Sequence, residues 1–216
     1  MPLALAFSPA RLTRRYDRAA RWWPDTIARL GFPAAYRALV KDLPSGPRVL
    51  DAGAGSGAFA ESHRDVHGPA SELTLLEPSG PMLEKAAARF ADPRTRLAAV
   101  QGYLGEVVIP PQDVVLCAHV IEHCPDPEAA VASLYAALRP GGTLALAVSR
   151  PHWCTAVLRL RWGHRAYRPA QVVSLLNAAG FARIRVCPFS SGVPGRTSCG
   201  YHAVRPVEDR TLSSSP

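Results

Sequence analysis

Residues 49–57 read Val49-Leu50-Asp51-Ala52-Gly53-Ala54-Gly55-Ser56-Gly57, and no other segment constrains the fold as much. A short apolar stretch enters, three glycines at alternate positions turn sharply, and a helical pattern at 58–66 leaves. Glycine is required where the backbone takes positive φ or approaches a ligand closely. A strand turning through glycines into a helix places that turn at the carboxyl edge of the sheet, where open α/β folds bind ligands.

The rest of the chain continues the alternation. Strands are expected at 48–52, 73–76, 97–100, 113–118 and 143–148. Helices are expected at 58–66, 81–90, 127–138 and 169–179, the third closed by Arg139-Pro140-Gly141-Gly142. The apolar run at 113–118 suits a strand buried on both faces. Strands alternating with helices mean βαβ units and a parallel sheet. Two last strands, near 182–189 and 200–204, are joined by a Ser/Gly/Pro loop and read as a hairpin at one edge. Residues 8–42 read as helical with a break at Gly31-Phe32-Pro33, and 43–47 as a linker.

At 216 residues and 48% hydrophobic, the chain supplies one domain with a full core. No apolar run approaches the ~18–20 residues of a membrane helix, and no secretory signal is evident. Its five cysteines, at irregular spacings, form no disulfide framework. A cytoplasmic location is the expectation. The net charge of +8 is uneven: +5 over residues 1–46, −5 over 47–149 and +8 over 150–216. Basic flanks around an acidic centre point to an anionic partner.

Glu77 lies twenty residues beyond Gly57, at the end of the second strand. That spacing suits a carboxylate accepting hydrogen bonds from ribose hydroxyls, so a nucleoside-containing cofactor is expected. Gly53-x-Gly55-x-x-Ala58 also satisfies the dinucleotide pattern, which keeps an NAD(P)-dependent oxidoreductase as the rival. Asp51, two residues ahead of the first glycine, counts against it. A carboxylate there suits the α-ammonium of a methionyl group and would repel a pyrophosphate seated on the helix N-terminus. No Tyr is followed four residues later by Lys, the short-chain dehydrogenase acid pair.

Four motifs occur in order: Asp51-x-Gly53-x-Gly55-x-Gly57, Leu76-Glu77-Pro78-Ser79 with Met82, His119-Val120-Ile121-Glu122-His123, and Leu138-Arg139-Pro140-Gly141-Gly142. Together they closely resemble class I S-adenosylmethionine-dependent methyltransferases, nearest to the type-11 group with the ubiquinone and menaquinone biosynthesis enzymes. The resemblance covers roughly residues 47–205 and leaves the acceptor open, because one such fold hosts many. It implies a Rossmann-like, seven-stranded, mostly parallel sheet with an antiparallel edge strand and helices on both faces. In that reading 1–46 form a helical lid, 47–206 the cofactor-binding domain with a substrate-covering insertion at 150–168, and 207–216 a disordered tail.

The same resemblance assigns roles to the cofactor, S-adenosyl-L-methionine. Gly53, Gly55 and Gly57 would line it, with Asp51 near its methionyl end. Glu77 and Pro78 would meet the ribose, and Met82 would pack on the adenine. Gln101 and Gly102 stand where the family has a Gly-Asp pair; lacking the acid, the chain offers Tyr103 for stacking. His119 would face the methionyl side, and Tyr16 resembles a tyrosine of the family's lid.

Methyl transfer needs alignment, water exclusion and sometimes a base, while the cofactor carries the reactive group. His119 and His123 are the candidate bases, because histidine titrates near neutrality. The plainer reading makes Glu122-His123 a capping feature of the turn. His119, His123, His152, Cys117, Cys124 and Cys154 match no standard zinc spacing, so no metal is expected. Arg150, His152, Trp153, His164, Arg165 and Tyr167 are the candidate acceptor contacts. They lead to a small-molecule acceptor bearing a carboxylate or phosphate, and a homodimer is an admissible assembly. Nucleic acid is not expected as partner, since no DPPY- or NPPY-like motif follows the fourth strand. A shallow RNA contact, and hence an RNA methyltransferase, is the alternative that the basic flanks leave open.

Overall fold

The computed structural model describes residues 9–153 and 165–207. Helices α1 (Pro9–Ala19), α2 (Trp23–Arg29) and α3 (Phe32–Val40) precede the first strand. The predicted break falls at Gly31, whose φ of +87° is cheap only for glycine. A second break, before Trp23-Pro24, follows because proline is tolerated in the first helical turn but not the interior.

Strand β1 (Arg48–Ala52) leads through the glycine turn into α4 (Ala58–His67). There follow β2 (Glu72–Leu76), α5 (Gly80–Arg89), β3 (Arg96–Val100), β4 (Gln112–Ala118), a 3₁₀ turn at Ile121–His123 and α6 (Pro127–Ala137). The chain continues through β5 (Leu138–Ser149), α7 (Pro169–Ala178), β6 (Ala182–Cys187), α8 (Gly192–Thr197) and β7 (Ser198–Val204). Among the described residues, seven strands form one sheet in the order β3-β2-β1-β4-β5-β7-β6. All pairings from β3 to β5 are parallel, and β7 runs antiparallel to both neighbours. The antiparallel strand therefore lies one in from the edge, which is β6 itself.

The strands bury both faces with period two. Leu50, Val115, Leu144 and Leu146 pack towards α6 and α7, against Val131, Leu134 and Leu176. Val49, Leu75, Val114, Leu116 and Ala145 pack towards α3, α4 and α5, against Tyr36, Phe59 and Leu83. Each such fully buried aliphatic contributes roughly 1.5–3 kcal/mol relative to exposure.

Two features stand out against the sequence expectation. β5 begins at Leu138 rather than at 143, because Gly141 N–H donates to Arg205 O and Arg205 N–H to Gly142 O, drawing the glycine pair into the sheet. The Ser/Gly/Pro stretch between the last strands contains the short helix α8. The tail from 208 onward lies outside the described residues. No described helix is long and apolar enough to cross a membrane.

Candidate active site

The carboxyl ends of β1, β2 and β4 open into a cavity of about 720 Å³, roofed by α1–α3. The glycine turn forms its floor. Gly53 N–H and Ala54 N–H both donate to Leu76 O, pinning the turn to the end of β2. At Gly53 (φ +74°) a Cβ would stand 2.2 Å from Val120 Cγ2, so only glycine fits. At Gly55 (φ +52°) a Cβ would meet nothing within 4 Å; its backbone borders open space.

Two carboxylates line that floor. Asp51 is 1% exposed and accepts from Ala60 N–H at 3.0 Å, in the first turn of α4. Burial pushes it up to about 7, against the pull of the Ala60 hydrogen bond and with a push from Glu77. Glu77, 6% exposed, accepts from Gly55 N–H and Ser79 N–H, each at 2.9 Å. Burial raises it too; the two N–H groups lower it and Asp17 raises it further. Ser79 caps α5 and donates from its hydroxyl to Asp17 at 2.6 Å.

The opposite wall comes from the turn after β4. His119 has the left-handed φ of +57°, a conformation uncommon outside glycine and a pointer to function. Its Nδ1 lies 3.1 Å from Glu122 Oε1 and 3.1 Å from Ser149 Oγ. Glu122, 2% exposed, also accepts from Ser149 N–H at 2.6 Å. Burial pushes Glu122 up, but the His119 hydrogen bond, the adjoining His119 and His123 rings and the Ser149 N–H outweigh it and hold the carboxyl at about 2. His123 Nε2 is 3.2 Å from Tyr16 Oη on α1. Thr13, one turn earlier, bonds Tyr103 Oη at 2.8 Å. Burial raises Tyr16 above the usual phenol range, and the Glu77 and Glu122 charges add to it.

Of the residues singled out from sequence, Tyr16, Asp51, Gly53, Gly55, Glu77 and Pro78 border this one cavity. Met82, Gly102, Tyr103, His119 and His123 border it as well. Gly57 does not: it caps α4 against Phe90 and Ala86, where a Cβ would crowd both. Gln101 is exposed and donates to Pro78 O at 3.1 Å.

The proposed acceptor contacts are not gathered there. Arg150 bonds Arg196 O from its side chain. His152 lies beside Trp153, with ring centroids 5.6 Å apart and planes tilted by 35°, and Trp153 is 73% exposed. Arg165 is exposed, with its backbone N–H on Glu122 O. Tyr167 is buried in the core beneath α7. His164 lies outside the described residues. Other walls of the cavity are lined instead by Trp23, Ile27, Phe32 and Tyr36 from α2 and α3, and by Val193 and Ser198. Phe32 and Tyr36, four apart on α3, carried a helical apolar signal that reads as core alone. Glu122 was legible only as a cap. Among the described residues, the cavity is lined by Asp51, Glu77, Glu106 and Asp126 and by no lysine or arginine, and no group of three or more metal-type ligands converges.

A model of the methyltransferase domain matches residues 14–185. The ubiquinone biosynthesis O-methyltransferase of Vibrio atlanticus is 29% identical over 144 residues, covering 62% of this chain and 59% of that enzyme. The chain thus spans about three fifths of the length of the curated relatives it matches. Among solved structures, human N-acetylserotonin methyltransferase in complex with S-adenosylmethionine superposes with a TM-score of 0.72 at 16% identity, over 96% of this chain and 61% of that one. An N-methyltransferase from Bradyrhizobium japonicum in complex with S-adenosyl-L-homocysteine gives 0.71 at 17%, over 90% and 98%. At these identities the structural likeness establishes the fold.

Proposed function

The chain belongs to the methyltransferase-domain family, and on that premise we propose that it transfers a methyl group from S-adenosyl-L-methionine to a small-molecule acceptor. One observation carries this reading: Asp51 and Glu77 stand buried on either side of a glycine turn whose Gly55 borders open space. That donor set fits the cofactor. A carboxylate at Glu77 matches vicinal ribose hydroxyls, and one at Asp51 matches an ammonium and would repel a pyrophosphate on the helix N-terminus. The dinucleotide-dependent alternative is disfavoured on the same chemistry.

When bound, the cofactor supplies a methyl carbon on a sulfonium, open to in-line displacement. The protein's part is to orient and enclose. Glu77 and Asp51 would fix the two ends of the ligand, and the Gly53–Gly55 backbone would let it approach the sheet edge. Met82, fully buried, and Pro78 would pack against the base. Tyr16 on α1 would close the roof, excluding water from the reacting centre. Trp23, Phe32 and Tyr36 would shape the acceptor side, a mostly apolar surface suited to a small organic molecule. An anionic acceptor gains no support from Arg150 and Arg165, which stand outside the cavity.

Native mass spectrometry of the purified protein, with S-adenosylmethionine or NAD added, tests the reading. One equivalent of S-adenosylmethionine or its demethylated product is expected. Binding of NAD alone would overturn it in favour of the oxidoreductase.

A further inference from the structure

We propose that Arg11, Arg14, Arg15 and Arg18, on the outer face of the roof helix α1, form a site for a ligand carrying two or more linked phosphates, whose occupancy steadies that helix. The inference goes beyond the methyltransferase reading and does not depend on it.

The four arginines are exposed and line a depression of about 450 Å³. Arg11 and Arg18 stand seven residues apart, about 10 Å along the helix. Like charges three or four apart on a helix repel, and this face carries four such pairs: 11–14, 11–15, 14–18 and 15–18. The first turn holds Arg11 and no acid, so the helix dipole is opposed there as well. The one acid of the helix, Asp17, is turned the other way and accepts from Ser79 Oγ at 2.6 Å. Among the described residues, Arg11, Arg14 and Arg18 enter no ion pair. A helix of 11 residues is marginal in water by itself. Uncompensated repulsion on its outer face is a cost that a bound anion removes.

The chemistry of this face selects the ligand. Guanidinium groups match phosphate oxygens through a planar fork of donors and keep their charge throughout the physiological range. Four of them over two turns exceed what one carboxylate or one phosphate neutralises. A membrane surface fits less well. The large apolar side chains of α1, Leu12 and Tyr16, are turned onto the cavity, and among the described residues none stands with the four arginines to enter lipid. Single-stranded RNA also fits less well, since no aromatic ring lines the depression to stack a base. The inner face of the same helix bonds Tyr103 through Thr13, His123 through Tyr16 and Ser79 through Asp17. Those bonds require the helical state, which relief of the outer repulsion stabilises. The roof is then held more firmly over the cavity. The basic flank at 1–46 thus meets its anionic partner on the outside of the roof, away from the carboxylates of the cavity.

The test uses the full chain with sodium tripolyphosphate as the probe, titrated by calorimetry at fixed ionic strength. One equivalent should bind. Arg14→Gln combined with Arg18→Gln should weaken it at least tenfold. Arg96→Gln combined with Arg185→Gln removes the same charge from the two sheet edges, at exposed ion pairs that contribute little to stability. That control pair should change the affinity less than twofold. Saturating tripolyphosphate should slow amide exchange across residues 12–19 at least threefold in the native sequence, and not when Arg14 and Arg18 are both replaced. No binding of tripolyphosphate, an equal loss in both double variants, or sulfate binding as tightly, would overturn the site and leave only diffuse attraction by net charge. Unchanged exchange with the probe bound would overturn its tie to the roof. Vesicles of phosphatidylcholine with one quarter phosphatidylglycerol, and a single-stranded oligonucleotide, are the rival probes. Retention of the chain by either one, with no binding of tripolyphosphate, would overturn the proposal and assign the face to a membrane or to RNA.

Discussion

Glu77 Oε2 accepts from the Gly55 nitrogen at 2.9 Å, so the carboxylate ending the second strand holds the glycine turn ending the first. Its other oxygen holds Ser79, whose hydroxyl holds Asp17. One relay of hydrogen bonds thus runs from the cavity floor to the roof helix.

The relay makes Glu77 expensive to lose. Glu77→Ala should weaken S-adenosylmethionine binding at least tenfold, about 1.4 kcal/mol, by removing both the ribose acceptor and the anchor of Gly55. Asp51→Ala should cost as much through the ammonium. Isothermal titration calorimetry measures both, and unchanged affinity in both variants removes the site assignment.

Asp51 adds a pH signature. Its carboxyl is raised to about 7 in the folded protein, against an ordinary value near 4. The folded chain therefore binds more protons than the unfolded one between those values, and stability falls as pH rises across that window. A cationic ligand group prefers the ionised form, so affinity for S-adenosylmethionine should rise through about pH 7, with proton release on binding near pH 6. Calorimetry in buffers of different ionisation enthalpy reads the proton, and Asp51→Asn should abolish it.

The two glycines of the turn separate packing from access. Gly55→Ala should cost only the left-handed penalty of about 1–2 kcal/mol, a melting shift of roughly 2–8 °C for a chain this size. Its new methyl enters the open space, so cofactor affinity should fall further than stability. Gly53→Ala meets Val120 at 2.2 Å and should add an overpacking cost of about 1–3 kcal/mol. Thermal melts of the two variants should therefore rank Gly53→Ala below Gly55→Ala. The reverse order would mean that Val120 yields.

The glycine-turn side of the cavity was legible in the sequence because it is local. The glycine turn and Asp51 lie within seven residues, and Glu77 ends the next strand at a spacing fixed by the βαβ unit. The remaining walls are assembled from α2, α3, the β4 turn and α8, which are distant in sequence. Trp23, Phe32 and Tyr36 therefore read as core. Arg150 and Arg165 read as binding residues from charge and order along the chain, but their positions after β5 direct them elsewhere. Glu122 was hidden for another reason: its partner Ser149 lies 27 residues away on a neighbouring strand.

The roof helix offers the last prediction. Isolated helices as short as the 11 residues of α1 are marginal in water, so its order depends on what its inner face touches. Thr13, Tyr16 and Asp17 share that face and bond Tyr103, His123 and Ser79, while Arg11, Arg14, Arg15 and Arg18 occupy the exposed one. A neutral hydrogen bond contributes about 0.5–1.5 kcal/mol and one to a charged group about 1.5–3. Tyr16→Phe combined with Asp17→Asn should therefore speed amide exchange across residues 13–20 by at least tenfold. S-adenosylhomocysteine should restore part of the protection, because Glu77 couples its site to Ser79. Unchanged exchange in the double variant would place the hold on α1 in the packing of Ala19 and Ala20 against Met82, and would uncouple the roof from the cofactor.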